Sequence, residues 1–103
     1  MKTDYRKIYG QSKLLDTFLN QSAGEVIREL RIEKGLSLNN VADKTTMFTK
    51  QTLSKYELGK SKLRMNVFFE LARIYNIEPK DLYNKINIRY ISKIEEDIKN
   101  KID

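Results

Sequence analysis

Apolar residues recur at three- and four-residue intervals along most of the chain, and strand-like alternation is scarce, so the pattern predicts an all-α protein. There is no internal repeat, no low-complexity tract and no Asn-Gly or Asp-Gly hairpin turn. Leu14, Leu15, Phe18 and Leu19 predict a short helix over 12–20, behind a polar arm carrying Tyr5, Ile8 and Tyr9. Ser22-Ala-Gly-Glu25 has the form of a capping box, which starts a helix over 23–34 with Val26, Ile27 and Leu30 inward and Gly35 as its left-handed stop. Ser37 caps the next helix, 38–45, with Leu38, Val41 and Ala42 as its apolar face. Thr45 to Phe48 reads as a turn. Thr49 then caps a helix over 50–57 with Leu53 and Tyr56 inward and Gly59 at its end. Met65, Phe68, Phe69, Ala72 and Tyr75 predict a helix over 65–75 and are assigned to the core. Pro79 opens a fifth helix at the position where its missing N–H costs nothing, with Leu82, Tyr83 and Ile86 following. Ile91, Ile94, Ile98 and Ile102 put an apolar stripe on an otherwise charged C-terminal helix. The expected organisation is an N-terminal arm with a short helix over 1–21, a five-helix domain over 22–86 and a C-terminal helix over 87–103.

The length, 103 residues, allows one compact domain with a short appendage. The absence of Cys and His excludes a disulfide framework and a zinc site of the usual kind, and removes the commonest general base. No cofactor and no metal is expected, and the chain is not read as an enzyme: it has no phosphate loop and no paired carboxylates on one face. Glu95-Glu96-Asp97 is a solvated acidic run rather than a site. No apolar run reaches the roughly 18–20 residues of a membrane span, and the N-terminus lacks the apolar core of a secretory signal. A soluble, cytoplasmic protein without membrane partners is expected. The net charge of +6 points to a polyanion or an acidic surface as partner.

The excess charge is concentrated. Between Lys44 and Arg64 stand six cations (Lys44, Lys50, Lys55, Lys60, Lys62, Arg64) against the single anion Glu57. Two short helices joined by a tight turn, the second rich in small polar and basic residues, form a helix-turn-helix pattern. Ala42 supplies the small residue at the crossing and Leu53 the apolar anchor. Lys50, Gln51, Ser54 and Lys55 fall opposite Leu53 and Tyr56, where a helix lying in the major groove presents its donors and acceptors. Gln51 is the candidate for two-pronged bonding to adenine. Thr49 brings N–H groups of the helix N-terminus toward phosphate. Lys60, Ser61 and Lys62, with Arg64, form a polar loop placed to follow a nucleic-acid backbone.

Residues Gly24 to Tyr83, about 60 of the 103, resemble the phage-repressor (Cro/CI, or XRE) helix-turn-helix family. The matching pieces are Gly24-Glu-Val-Ile-Arg-Glu-Leu-Arg31, Glu33-Lys-Gly-Leu-Ser37, Val41-Ala-Asp-Lys44, Thr52-Leu-Ser-Lys-Tyr-Glu-Leu-Gly-Lys60, Glu70-Leu-Ala-Arg73 and Ile77-Glu-Pro-Lys-Asp-Leu82. The resemblance implies a lambda-repressor-like five-helix domain in which the helix opening at Thr49 enters the major groove. It places Lys50, Gln51, Ser54 and Lys55 on base-facing positions and Lys60, Ser61 and Lys62 on the backbone-contacting loop. It also places Arg31 and Glu57 on an ion pair beside the backbone, where a lone carboxylate would otherwise repel phosphate. Two departures stand out. Leu38 occupies a position where the family often has a phosphate-contacting Gln, so either Asn39 or Asn40 takes over that contact or it is missing. Ala42 and Leu53 are eleven apart rather than ten and the usual turn Gly is absent, a lengthened turn similar to that of Rgg-like DNA-binding domains.

The expected function is a sequence-specific transcriptional regulator, a repressor, that binds double-stranded DNA as a homodimer with two helices in successive major grooves. The Ile91, Ile94, Ile98 and Ile102 stripe either contributes to that dimer, packs back on its own domain, or is coil. The second reading is a protein partner: a binding module on the same fold, such as an antitoxin, an anti-repressor or a phage-encoded inhibitor of a host defence nuclease.

Overall fold

The computed structural model describes Tyr9 and residues 13–102, with the backbone alone of Ile102. The expected arm over residues 1–8 and the Ile102 side chain lie outside the described residues. From Leu14 onward the chain forms five helices: α1 Leu14–Glu33, α2 Leu38–Ala42, α3 Lys50–Glu57, α4 Met65–Ile74 and α5 Pro79–Ile102. No strand occurs among the described residues.

Caps set most of these boundaries. Ser37 Oγ accepts from Asn40 N–H while Asn40 Oδ1 accepts from Ser37 N–H, a reciprocal box that starts α2. Thr49 Oγ1 accepts from Thr52 N–H and starts α3. α1, α3 and α4 all end in the same way. A left-handed residue (Gly35, Gly59 and Asn76, with φ of 70°, 71° and 53°) turns the chain, and the next N–H returns to a carbonyl five residues back.

Ala23, Val26, Ile27 and Leu30 of α1, Val41 of α2, Phe48 of the turn, Leu53 and Tyr56 of α3, Val67, Leu71, Ala72 and Tyr75 of α4 and its end, and Leu82 and Ile86 of α5 share one buried core. Burying side chains of this size provides the main drive for folding, about 1.5–3 kcal/mol for each large aliphatic.

Four features differ from the sequence expectation. α1 has no start at Ser22; it runs unbroken from Leu14. Positions 15, 18, 22, 26 and 30 lie on successive turns of one face, so the predicted short helix and the first body helix are in phase. A continuous helix also avoids a second set of orphan backbone groups. Ser22 is buried inside it and donates to the Phe18 carbonyl at 2.7 Å. α2 stops at Ala42 rather than 45. α5 likewise continues through the expected boundary near 87, since no Gly or Pro follows Pro79. In α4 the buried face is Val67, Leu71, Ala72 and Tyr75; Met65 and Phe69, expected in the core, are 68 % and 51 % exposed.

The C-terminal half of α5 lies against α1. Arg89 pairs with Glu29 and with Glu25, and Lys93 Nζ sits 3.0 Å from Glu25. Ile94 is fully buried. Tyr9 donates to Asp97 at 2.7 Å, and Lys101 stands 4.5 Å over the Tyr9 ring. Ile94 is thus used inside its own chain, whereas Ile91 and Ile98 are half-buried.

At Gly24 α1 and α3 approach each other closely. A Cβ there would lie 2.3 Å from the Tyr56 carbonyl oxygen and 2.6 Å from that of Glu57, both backbone atoms at the end of α3. Gly24→Ala is therefore expected to destabilise the protein by about 1–3 kcal/mol despite the better helix propensity of Ala. Urea unfolding should give a lower midpoint at unchanged slope.

Candidate nucleic-acid interface

α3 carries polar residues outward because Leu53 and Tyr56 anchor it inward. Its C-terminal end is seated on α1 in two ways. The first is the backbone contact at Gly24. The second is an ion pair with parallel bonds: Arg31 Nε to Glu57 Oε2 at 2.7 Å and Arg31 Nη2 to Glu57 Oε1 at 3.0 Å. Arg31 Nη1 also donates to the Leu36 carbonyl at 2.9 Å, tying in the loop before α2. The Glu57 carboxylate is 5 % exposed, so the pair is shielded, and its hydrogen bonds push the Arg31 pKa up. Removing one partner of such a pair leaves a buried charge, at a cost of about 3–5 kcal/mol. Beneath it lies Tyr75, whose hydroxyl is buried with no hydrogen-bond partner among the described residues. Burial and, secondarily, the Glu57 charge push its phenol pKa up.

The N-terminal end of α3 follows the turn, and α4 holds that turn. Thr45 Oγ1 donates to Glu70 at 2.6 Å and accepts from Met47 N–H at 3.1 Å. Arg73 bonds the other Glu70 oxygen at 2.7 Å and reaches the Lys44 carbonyl at 3.3 Å. Phe48, 8 % exposed, plugs the turn into the core. The turn between α2 and α3 is thus braced by side chains from α4. The bonds from Arg73 and then Thr45 hold the Glu70 carboxyl down to about 2.

A shallow concavity lies between the start of α2 and the outward face of α3. Arg31, Ser37, Leu38, Asn39, Lys50, Gln51, Ser54, Lys55, Leu58 and Lys60 line it. All four residues expected to face bases are therefore in one place, with Arg31, Asn39 and Lys60. Lys50, Gln51 and Lys55 are exposed and Ser54 is half-buried. Lys50, Lys55 and Lys60 have no carboxylate partner among the described residues, in contrast to Arg31, Arg73, Arg89, Lys93 and Lys101. Positive charge is left uncompensated on this face.

Other expected residues fall elsewhere. Thr49 is exposed at the α3 cap, and Asn40 spends its side-chain oxygen on the α2 cap. Ser61 and Arg64 are outside the concavity. Lys62 points to Asp16, 3.8 Å away, and lines a separate apolar groove with Leu19, Met65, Phe69 and Tyr83. Sequence reasoning missed the supporting roles of Gly24, Phe48, Glu70 and Arg73, and it left Leu58 without a place. A partial signal existed for Phe48, an aromatic inside an otherwise polar turn. Among the described residues there is no cluster of three or more candidate metal ligands, and no helix is long and apolar enough to cross a membrane.

Residues 27–82, more than half of the chain, match the family model described as helix-turn-helix. The chain belongs to that family, of the XRE type. Among solved structures, the crystal structure of the clp gene regulator ClgR from Corynebacterium glutamicum is similar with a TM-score of 0.71 at 15 % identity, covering 82 % of this chain and 88 % of that one. At that identity the likeness concerns the fold. No curated protein matches the chain.

The Glu70 brace has a pH signature. Its carboxyl is depressed relative to the unfolded value of 4.5, so its contribution is present above pH 4.5 and is lost as pH falls toward about 2. Glu70→Gln should be less stable than the parent at neutral pH. The difference between their unfolding free energies should shrink between pH 4.5 and 2, followed by denaturant titration at each pH.

Proposed function

We propose that the protein is a sequence-specific repressor that binds duplex DNA as a homodimer, with α3 of each copy in the major groove. The observation that carries this reading is the concavity itself, where Gln51, Ser54 and three lysines with no carboxylate partner among the described residues stand together. Gln51 matches the acceptor and donor edge of adenine. Lys50, Ser54 and Lys55 contact neighbouring bases. Thr49, Asn39, Asn40, Lys60, Ser61, Lys62 and Arg64 serve the phosphates along the two strands, and the Arg31–Glu57 pair holds α3 in register beside them. Repression follows from occupancy alone: a dimer on two half-sites about one helical turn apart blocks a promoter without chemistry.

In this reading the isoleucine stripe supplies the dimer only through Ile91, Ile98 and Ile102, since Ile94 is already covered. The apolar groove of Leu19, Met65, Phe69 and Tyr83 offers the larger exposed surface.

Duplexes selected from a random pool provide the test. Affinity should fall with salt by about 0.9 log unit per log unit for each phosphate neutralised, with two chains bound per selected duplex. Gln51→Ala should lose about 1–3 kcal/mol of discrimination at one or two base pairs and keep the salt slope. Lys60→Ala should weaken all sequences alike and flatten the slope by about one unit. Equal behaviour of the two variants on selected and random DNA overturns these roles. A pool that yields no bound duplex, beside a salt-resistant protein partner, favours a protein-binding module.

A further inference from the structure

Two apolar side chains sit in the cationic concavity, and phosphate recognition has no use for either. Leu58 is 61 % exposed at the end of α3. It stands seven residues after Gln51 and three or four after Lys55 and Ser54, so it continues their stripe along the same helix face. The stripe from Gln51 to Leu58 covers about 10 Å, or about three base steps. Leu38, the first residue of α2, packs partly on the core and lines the same concavity from the side.

An exposed leucine beside uncompensated lysines neither bonds a phosphate nor bonds a base edge. Among the groups that B-form DNA offers in the major groove, one is apolar and sequence-dependent: the thymine C5-methyl. Deoxyribose is apolar too, but it is the same at every position and carries no sequence information. Gln51 on the same stripe is suited to adenine, so a methyl-seeking neighbour and an adenine-seeking amide favour the same kind of base pair.

We propose that Leu38 and Leu58 are specificity-determining residues that read thymine methyl groups, making the recognised half-site rich in A·T pairs where α3 lies. This rests on the DNA-reading assignment made above, and it adds the base class and the residues that select it.

The experiment uses the full chain and a duplex selected from a random pool. Each thymine is replaced in turn by deoxyuridine, which removes the methyl and leaves every hydrogen bond and sugar in place. Loss of about threefold to fivefold in affinity is expected at one or more thymines of each half-site. In Leu58→Ala or Leu38→Ala the parent's affinity for the thymine duplex falls, and the deoxyuridine penalty at the matching position drops below about twofold. Leu58 is exposed, so its variant keeps the fold and decides the matter even if Leu38→Ala unfolds; thermal melts of both variants record this. A selected duplex with no deoxyuridine-sensitive position, or a penalty that survives in Leu58→Ala and in any folded Leu38→Ala, overturns the inference and leaves the DNA-reading assignment standing. Failure to select any duplex overturns both.

Discussion

The seat of α3 on α1 is the constraint on which the rest of the structure depends. A segment of eight residues is too short to be a stable helix alone. Its direction must therefore be imposed from outside. At one end Gly24 lets two backbone carbonyls of α3 approach α1 more closely than any side chain would allow, and the shielded Arg31–Glu57 pair fixes the angle there. At the other end Phe48, Thr45, Glu70 and Arg73 tie the preceding turn to α4. The outward face is then free of structural duty, which is why it can carry lysines that have no carboxylate partner among the described residues.

The same division of labour explains the distribution of charge. Glu25 and Glu29 of α1 are spent on Arg89 and Lys93 of α5, which holds those two helices together, and Glu70 of α4 is spent on Arg73 of the same helix; all of these pairs lie on the sides away from the concavity. Glu57 is the exception, an anion at the edge of the cationic face, and the guanidinium of Arg31 covers it. That pair therefore serves folding and also keeps an uncovered negative charge off the cationic face.

Local signals were legible in the chain. Ser37, Thr49, Gly35 and Gly59 fix helix ends through bonds to residues within five positions, and they stand where the pattern put them. That Lys50, Gln51, Ser54 and Lys55 share one outward face followed from helical spacing. What the chain concealed is non-local. Ser22-Ala-Gly-Glu25 has the composition of a cap, but Gly24 is small because the Tyr56 and Glu57 carbonyls of α3 press on that stretch of α1, and so distant an approach leaves no local mark. In α4 the three- and four-residue spacing admits two phases; it placed Ala72 and Tyr75 inside, where they are, but took Met65 and Phe69 in place of Val67 and Leu71. The Thr45–Glu70 brace likewise joins residues that are 25 apart. The isoleucine stripe was readable as apolar, but whether its own α1 or a second copy covers Ile94 depends on Glu25 and Glu29, which lie on another helix.

The central claim is that the concavity around α3 is the surface that meets DNA. An amide chemical-shift map of the 15N-labelled protein, titrated with a selected duplex, tests it most directly. The account predicts that the signals of Asn39, Lys50, Gln51, Ser54, Lys55 and Lys60 move together, while those of Leu19, Phe69 and Tyr83 do not follow the titration with the same amplitude. Shifts centred on the apolar groove, with the α3 face unmoved at saturation, would contradict it.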